Sequence, residues 1–430
     1  MAATLPFLTS YDPAGTSEGY LDPLGLVQIG EQLANVLVPA VRERMLRVRF
    51  LTATAVGAVV TEGLDDNPAH RDASPYLVWE WLLVEALVRN PELDIWGVPG
   101  TLVARRALQQ HGYLDARSYL KTPRIFGFFG VYKRLALHLG LVDVHLGPGP
   151  NAQALVDAWA RGVDSTGPET ARALIARWRT AVKRSLGEDP PRTRPGWQAE
   201  HWGELARAFL PDGMRSQEKR LLREMLHRDD DRGLGALRRI WQLQGEFDDD
   251  SYSEESLHNR LEELVPPYAA LIGAIRSYER FSRRLQDAFD ILRAEASRSR
   301  GQGFSIASIG RDSEFVRTAK GLHEQFAAAH RALGEVNVAS MSLQNLFGER
   351  FAAFGEPLDS GDCGLALCLH HEAIQRAKSV EGKRPWLDRA GGDRIFIRPA
   401  YRLTRRDCEP RRYTNPYRGL PIRRFYRDLS

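Results

Sequence analysis

Apolar positions recur at intervals of three and four through most of the chain, the spacing that lines one face of an α-helix. Leu26, Ile29, Leu33, Val36 and Leu37 follow Asp22-Pro23, a good N-cap and a tolerated first-turn proline, and Pro39 ends that run. Residues 42–60 begin basic, with Arg42, Arg44, Arg47 and Arg49, and then turn apolar. Trp79, Leu82, Leu83 and Leu87 mark a third helix near 75–89. Further on, 256–298 is helical with a break at Pro266-Pro267, and 313–333 repeats the style. Leu271, Ile275, Leu285 and Leu292 form one stripe that should be buried. Two long amphipathic stretches around the Gly-rich connector 301–310 predict an antiparallel helical hairpin. The rhythm changes at 394–398, where Ile395 and Ile397 alternate with Phe396 and Arg398 as a short strand would.

Residues 95–146 carry a distinct grammar. A helix over 103–110 ends at Gly112, a second is expected over 113–119, and a turn at Thr122-Pro123 leads into a third over 125–140. Tyr132, Leu135, Ala136 and Leu139 share a face of that third helix, and an extended pair begins at Leu141. Helix, turn, helix, then extended chain is the order of a winged helix. It would place Arg124, Lys133 and Arg134 near DNA. Breaks at 147–150 and 188–195 suggest boundaries. The fold class expected is mainly α: a multi-domain helical protein with a winged-helix-like unit and a small α+β basic C-terminal region. The domains expected are 1–146, with the winged-helix-like segment at about 95–146; a helical pair at 151–187; a helical domain with the long hairpin at 196–350; and the basic region at 351–430.

Composition narrows the classes. With 430 residues, 43% of them hydrophobic, the chain has ample material for a core, which excludes wholesale disorder. No apolar run approaches the ~20 residues a bilayer-spanning helix needs. No signal-peptide pattern opens the sequence, and a cytoplasmic location without membrane partners is the expectation. Cys363, Cys368 and Cys408 are too few for a disulfide scaffold, lack zinc-site spacing, and read as idle thiols. The net charge of +4 hides an asymmetry. Residues 372–430 hold sixteen Lys and Arg against seven Asp and Glu, about +9, which leaves about −5 on the remainder. A basic segment on a mildly acidic body is the pattern expected of a segment that meets a polyanion.

The chemistry candidates follow from that charge. Arg398, Arg402, Arg405, Arg406, Arg411, Arg412, Arg418, Arg423 and Arg424 are interleaved with Tyr401, Tyr413, Tyr417, Phe425 and Tyr426. Arginine forks suit phosphates, and flat rings suit unpaired bases. The competing account docks this tail on acidic helices bearing Glu254, Glu255, Glu262 and Glu263. His370, His371, Glu372, Lys378 and Lys383 beside Trp386 form a second constellation. Adjacent histidines on a helix face directions about 100° apart and cannot chelate one ion as an i, i+4 pair can. The acidic runs 229–231 and 248–250 lack the alternating ligands of a calcium loop. No GxSxG elbow, phosphate loop or nuclease carboxylate set is present, and no cofactor or metal is expected.

The opening "DPLGLVQIGEQLANVLVPAVRERMLRVRFLTATAVGA" resembles a recurrent start among uncharacterised bacterial proteins encoded in anti-phage defence islands. Its marks are the Asp-Pro cap, the "L-V-P" break and Arg47-Val48-Arg49-Phe50-Leu51. "GVPGT" with "GFFGVYKRLALHLGLVD", and "HHEAIQRAKSVEGKRPWL" followed by "IFIRPAYR", fit the same pattern. The segments cover under half of the chain and carry no catalytic motif. The resemblance implies a component of a multi-protein, DNA-directed defence system. The expected function is a non-enzymatic, DNA-associated adaptor or scaffold subunit, with other subunits and DNA or RNA as partners. The alternatives are a nuclease or other nucleic-acid-processing effector with a site near His371 and Lys383, and a winged-helix transcriptional regulator.

Overall fold

The computed structural model describes residues 22–66, 69–163, 168–228, 234–249, 251–299, 302–336, 342–378, 384–390, 393–404 and 413–430. Among these, helices dominate, and strands β1 (Phe304–Ser305), β2 (Leu387–Ala390) and β3 (Arg394–Ile397) make one small sheet. No described helix is long and apolar enough to cross a membrane. The chain folds as two units, each assembled from separate stretches of sequence.

The first unit holds the described residues of 22–36 and 252–417. Its spine is the thirty-residue helix Ala269–Arg298, entered through a short turn at Pro266–Tyr268. Leu271, Ile275, Leu285 and Leu292 are buried along it, as the periodicity predicts. It packs against Leu322–Gly334, the return arm of the expected hairpin. That arm is divided at Gly321, which separates it from the helix Ser313–Lys320. Phe281 on the spine meets the rings of Phe326, Phe347 and Phe351 at 4.9–6.0 Å. In the sheet, β3 lies between β1 and β2 and is antiparallel to both, pairing Phe304 with Ile395 and Leu387 with Ile397.

The second unit holds the described residues of 37–251 and 418–430. Helices Arg49–Thr61 and Pro75–Arg89 are apolar around nearly their whole circumference, and such helices belong at the centre of a core. Trp79, Trp159, Trp178 and Phe209 cluster there with ring centroids 5.6–6.2 Å apart. The Trp79 indole fills the place a Cβ would take on Gly57, so a side chain at Gly57 would displace it. Glu80, fully buried, accepts from the Tyr119 hydroxyl at 3.0 Å and from the N–H groups of Phe128 and Phe129 at 3.0 and 2.9 Å. A carboxylate on one helix thus caps the start of another, Phe128–His138.

Three local expectations change. The second helix expected over 113–119 is a run of turns. Asp115 explains this, because its carboxylate accepts from Arg117 and Ser118 N–H, and side-chain capping of that kind competes with helix. After Leu141 only an isolated bridge, Val142 to Pro148, is extended. The basic helix expected from Arg42 begins at Arg49. The Pro/Gly breaks at 147–150 and 188–195 both lie inside the second unit. Thr193 shows why. Its N–H donates to Leu114 O, and its hydroxyl accepts from Leu114 N–H and donates to buried Glu85.

Candidate functional site

The residues picked from sequence meet different fates. Arg124 and Arg134 are exposed, while Lys133 is half-buried with its ammonium 5.1 Å from the Phe129 ring centroid. Arg124 and Lys133 line a cleft of about 650 Å³ in the second unit, but Glu62, Asp65, Asp66 and Asp143 line it too. Four carboxylates against two cations give that cleft the wrong sign for a phosphate backbone.

The described arginines of the basic tail are mostly taken up by the fold. Arg398 donates to Asp388 at 2.9 Å. Arg418 is buried at the start of the last helix, Gly419–Leu429. Arg423, also buried, donates to Phe247 O and Asp249 at 3.1 Å, and Arg427 pairs with the same Asp249. Arg424 lies 5.0 Å from the Trp96 ring centroid. Arg402 is exposed. Arg405, Arg406, Arg411, Arg412 and Lys383 lie outside the described residues, as do Cys408 and 229–231. In the first unit, buried Glu279 accepts from Thr414, Asn415 and Tyr417, the last at 2.6 Å. Burial pushes this carboxyl up while those bonds pull it down. Among the described residues, Glu279, Asp249 and Asp388 hold parts of the tail; the expected docking of Arg405, Arg406, Arg411 and Arg412 on Glu254, Glu255, Glu262 and Glu263 rests on arginines outside the described residues.

The histidine constellation is a structural clamp. His371 Nδ1 donates to Pro23 O at 2.9 Å, and its Nε2 accepts from Trp386 N–H at 2.9 Å. Both nitrogens are therefore occupied in one neutral tautomer, and burial pushes the imidazole down to about 4. His370 Nε2 bonds Leu24 O at 2.8 Å, and Gln375 and Lys378 donate to Asp22 O. The "DPLG" and "HHEAIQ" segments, 348 residues apart at His371 and Pro23, thus meet in the first unit. A base or metal ligand at His371 would have to break two backbone bonds. Cys363 and Cys368 are buried, and burial pushes both thiols up to about 12, so they stay protonated. Among the described residues no three His, Cys, Asp or Glu groups gather as a metal site would require.

Among the described residues a further cluster of positive charge lies in the first unit, and sequence reasoning missed it. Arg280, Arg283 and Arg284 on the long spine helix, with Arg317 and Thr318 on Ser313–Lys320 and Gln325 on Leu322–Gly334, surround a cavity of about 400 Å³. Spacings of three and four place the spine arginines on neighbouring turns of one face. The carboxylate in the lining is Asp287, 3.9 Å from Arg283. Burial pushes Asp287 up to about 6, against the pull of Arg283. The other arginines of this helix are paired: Arg276 with Glu262, Arg293 with Asp290, Arg298 with Glu295. Arg280, Arg284 and Arg317 have no carboxylate among the described residues within 4 Å. The lining carries four guanidinium groups against one carboxylate. The signal available in sequence was "RFSRR", three arginines within five residues on the polar side of a buried stripe.

Comparison of the chain with protein-family models, with curated proteins and with solved structures finds no match.

Proposed function

We propose that this protein is a non-enzymatic, nucleic-acid-associated subunit of a prokaryotic anti-phage defence complex, and that the arginine cradle of the first unit is its phosphate contact. The observation that carries the reading is the cradle itself: three arginines with no carboxylate within 4 Å among the described residues, around one cavity with a hydroxyl and an amide beside them. Arginine forks bind phosphate oxygens in pairs, and charge the fold does not neutralise is available to a ligand. The defence context rests on the resemblance of the Asp22-Pro23 and His370-His371 segments. Of the two clefts that Arg124 borders, one is net acidic and the other, with Arg71 and Lys121 against Asp72, is net basic, so the 95–146 region is a second candidate contact beside the cradle.

The test is fluorescence anisotropy with labelled DNA and RNA across a salt series. Wild-type protein should bind with affinity that falls linearly in log salt. Arg280→Glu with Arg284→Glu and Arg317→Glu should abolish binding, and single changes should flatten the slope by about one unit for each phosphate no longer neutralised. Incubation with Mg²⁺ or Mn²⁺ should leave the strands intact. Binding that ignores these three arginines, or cleavage of the strand, defeats the reading.

A further inference from the structure

The cradle is an open hollow on the surface of the first unit, and its charge bears on which phosphate it takes. A cavity of about 400 Å³ lies in the size range of small-ligand sites, roughly 300–1,000 Å³. An internal phosphodiester carries a single charge and offers two non-bridging oxygens. A phosphomonoester ends the chain. It carries about −1.5 to −2 at neutral pH and three terminal oxygens, enough for more than one guanidinium fork. Coulomb attraction to a cluster of positive charge scales with ligand charge, so this lining favours the dianion.

The rest of the lining says where recognition stops. Thr318 and Gln325 add neutral hydrogen-bonding groups. Among the described residues no aromatic side chain lines the cavity, so none of them stacks on a base there. Gly321 adds a positioning device. Its missing Cβ leaves the space that the Arg284 guanidinium occupies, at the junction between the two helices opposite the spine. Gly321 has φ −99°, which any residue adopts, so an added methyl would act by pushing the flexible end of Arg284 aside.

Resting on the phosphate-contact reading above, we infer that the cradle is a phosphomonoester site: it takes a terminal phosphate, on a nucleic-acid 5′ end or on a free nucleotide, in preference to the internal backbone. Arg280, Arg284 and Arg317 grip the phosphate, and base identity is not read there.

The experiment uses the full chain and a short single-stranded oligonucleotide labelled at its 3′ end, with either a 5′-phosphate or a 5′-hydroxyl. The phosphorylated strand should bind about ten-fold more tightly, the worth of one charge-assisted bond pair. That preference should vanish in Arg284→Gln and shrink in Gly321→Ala, with melting temperatures unchanged. If Gly321→Ala fails to fold, Arg284→Gln decides alone. Adenosine monophosphate as competitor separates the sources. Displacement of the phosphorylated strand at low micromolar competitor makes free nucleotide the ligand, and displacement only by another phosphorylated strand makes the 5′ end the ligand; both uphold the phosphomonoester site. Equal affinity for the two strands, falling equally in Arg284→Gln, overturns this inference and leaves the backbone-contact reading standing. Affinities that ignore the arginines altogether overturn both.

Discussion

Two arginine-rich regions of this chain have opposite relations to the fold. In the tail, Arg423 is buried among Gln244, Phe247 O and Asp249, Arg427 shares that aspartate, and Arg418 is buried at a helix start. On the spine helix, Arg280 and Arg284 face a cavity with Arg317, and no described carboxylate lies within 4 Å of them. The tail has the higher charge density in sequence, yet its described arginines are mostly used internally. Density of like charge therefore does not locate a binding surface. What locates it is charge left over after the fold has supplied its own counter-groups, because only unneutralised groups gain by meeting a ligand.

The largest expected effect tests the internal half of that contrast. Glu279 is buried and holds the 414–417 segment through Thr414, Asn415 and Tyr417. Glu279→Ala strands those donors without an acceptor and should cost about 3–5 kcal/mol in denaturant unfolding. A loss below about 1 kcal/mol would mean water replaces the carboxylate and the segment is not anchored there.

Glu80 extends the test to pH. Burial raises its carboxyl from the ordinary 4.5 to about 7, against three hydrogen bonds that pull it down. The folded state therefore holds a proton that the unfolded chain releases between pH 4.5 and 7. Stability should fall as pH rises through that window, by roughly 3 kcal/mol, and level off above it. Glu80→Gln should flatten this part of the stability curve relative to wild type. Parallel curves for the two proteins would show that Glu80 stays ionised and that its three donors outweigh its burial.

Next in size is Arg423. Arg423→Ala should cost about 1–3 kcal/mol through its buried contacts with Gln244 and Phe247. Nucleic-acid affinity per folded molecule should not change. Weaker affinity at constant stability would move the tail to the other side of the comparison.

Much of the helical architecture was legible in sequence because periodicity reports which face a helix buries. Leu271, Ile275, Leu285 and Leu292 are buried as their spacing requires, and the Pro266-Pro267 break and the 394–397 strand lie where composition puts them. The adjacent histidines do face different partners, which their helical offset predicts. What periodicity cannot report is the group opposite a polar face. Asp249 precedes Arg423 by 174 residues, and Pro23 precedes His371 by 348. At Asp115 two short side-chain bonds take the place of a helix, and a seven-residue apolar pattern does not reveal them. The cradle was missed for a related reason. Its arginines look like any solvated helix face until the neighbouring helix is seen to bring Arg317 to the same cavity.

The smallest expected change in stability belongs to the cradle, and it sharpens the comparison most. Arg280, Arg284 and Arg317 have no described carboxylate within 4 Å, so removing them breaks no close ion pair and costs the fold little. Alanine at each position should shift unfolding free energy by no more than about 0.5 kcal/mol, the ordinary range for surface substitutions. Relief of mutual repulsion among like charges even favours a slight gain, one that high salt should erase. Phosphate affinity should move the other way and fall with each substitution. Measured together, stability and affinity give the two regions opposite signatures: Arg423→Ala changes stability alone, and Arg284→Ala changes affinity alone. A cradle variant destabilised by about 2 kcal/mol or more would show that Arg284 packs across the Gly321 junction as a structural strut. The cavity it borders would then be a by-product of packing, and the tail and the spine would no longer differ in kind.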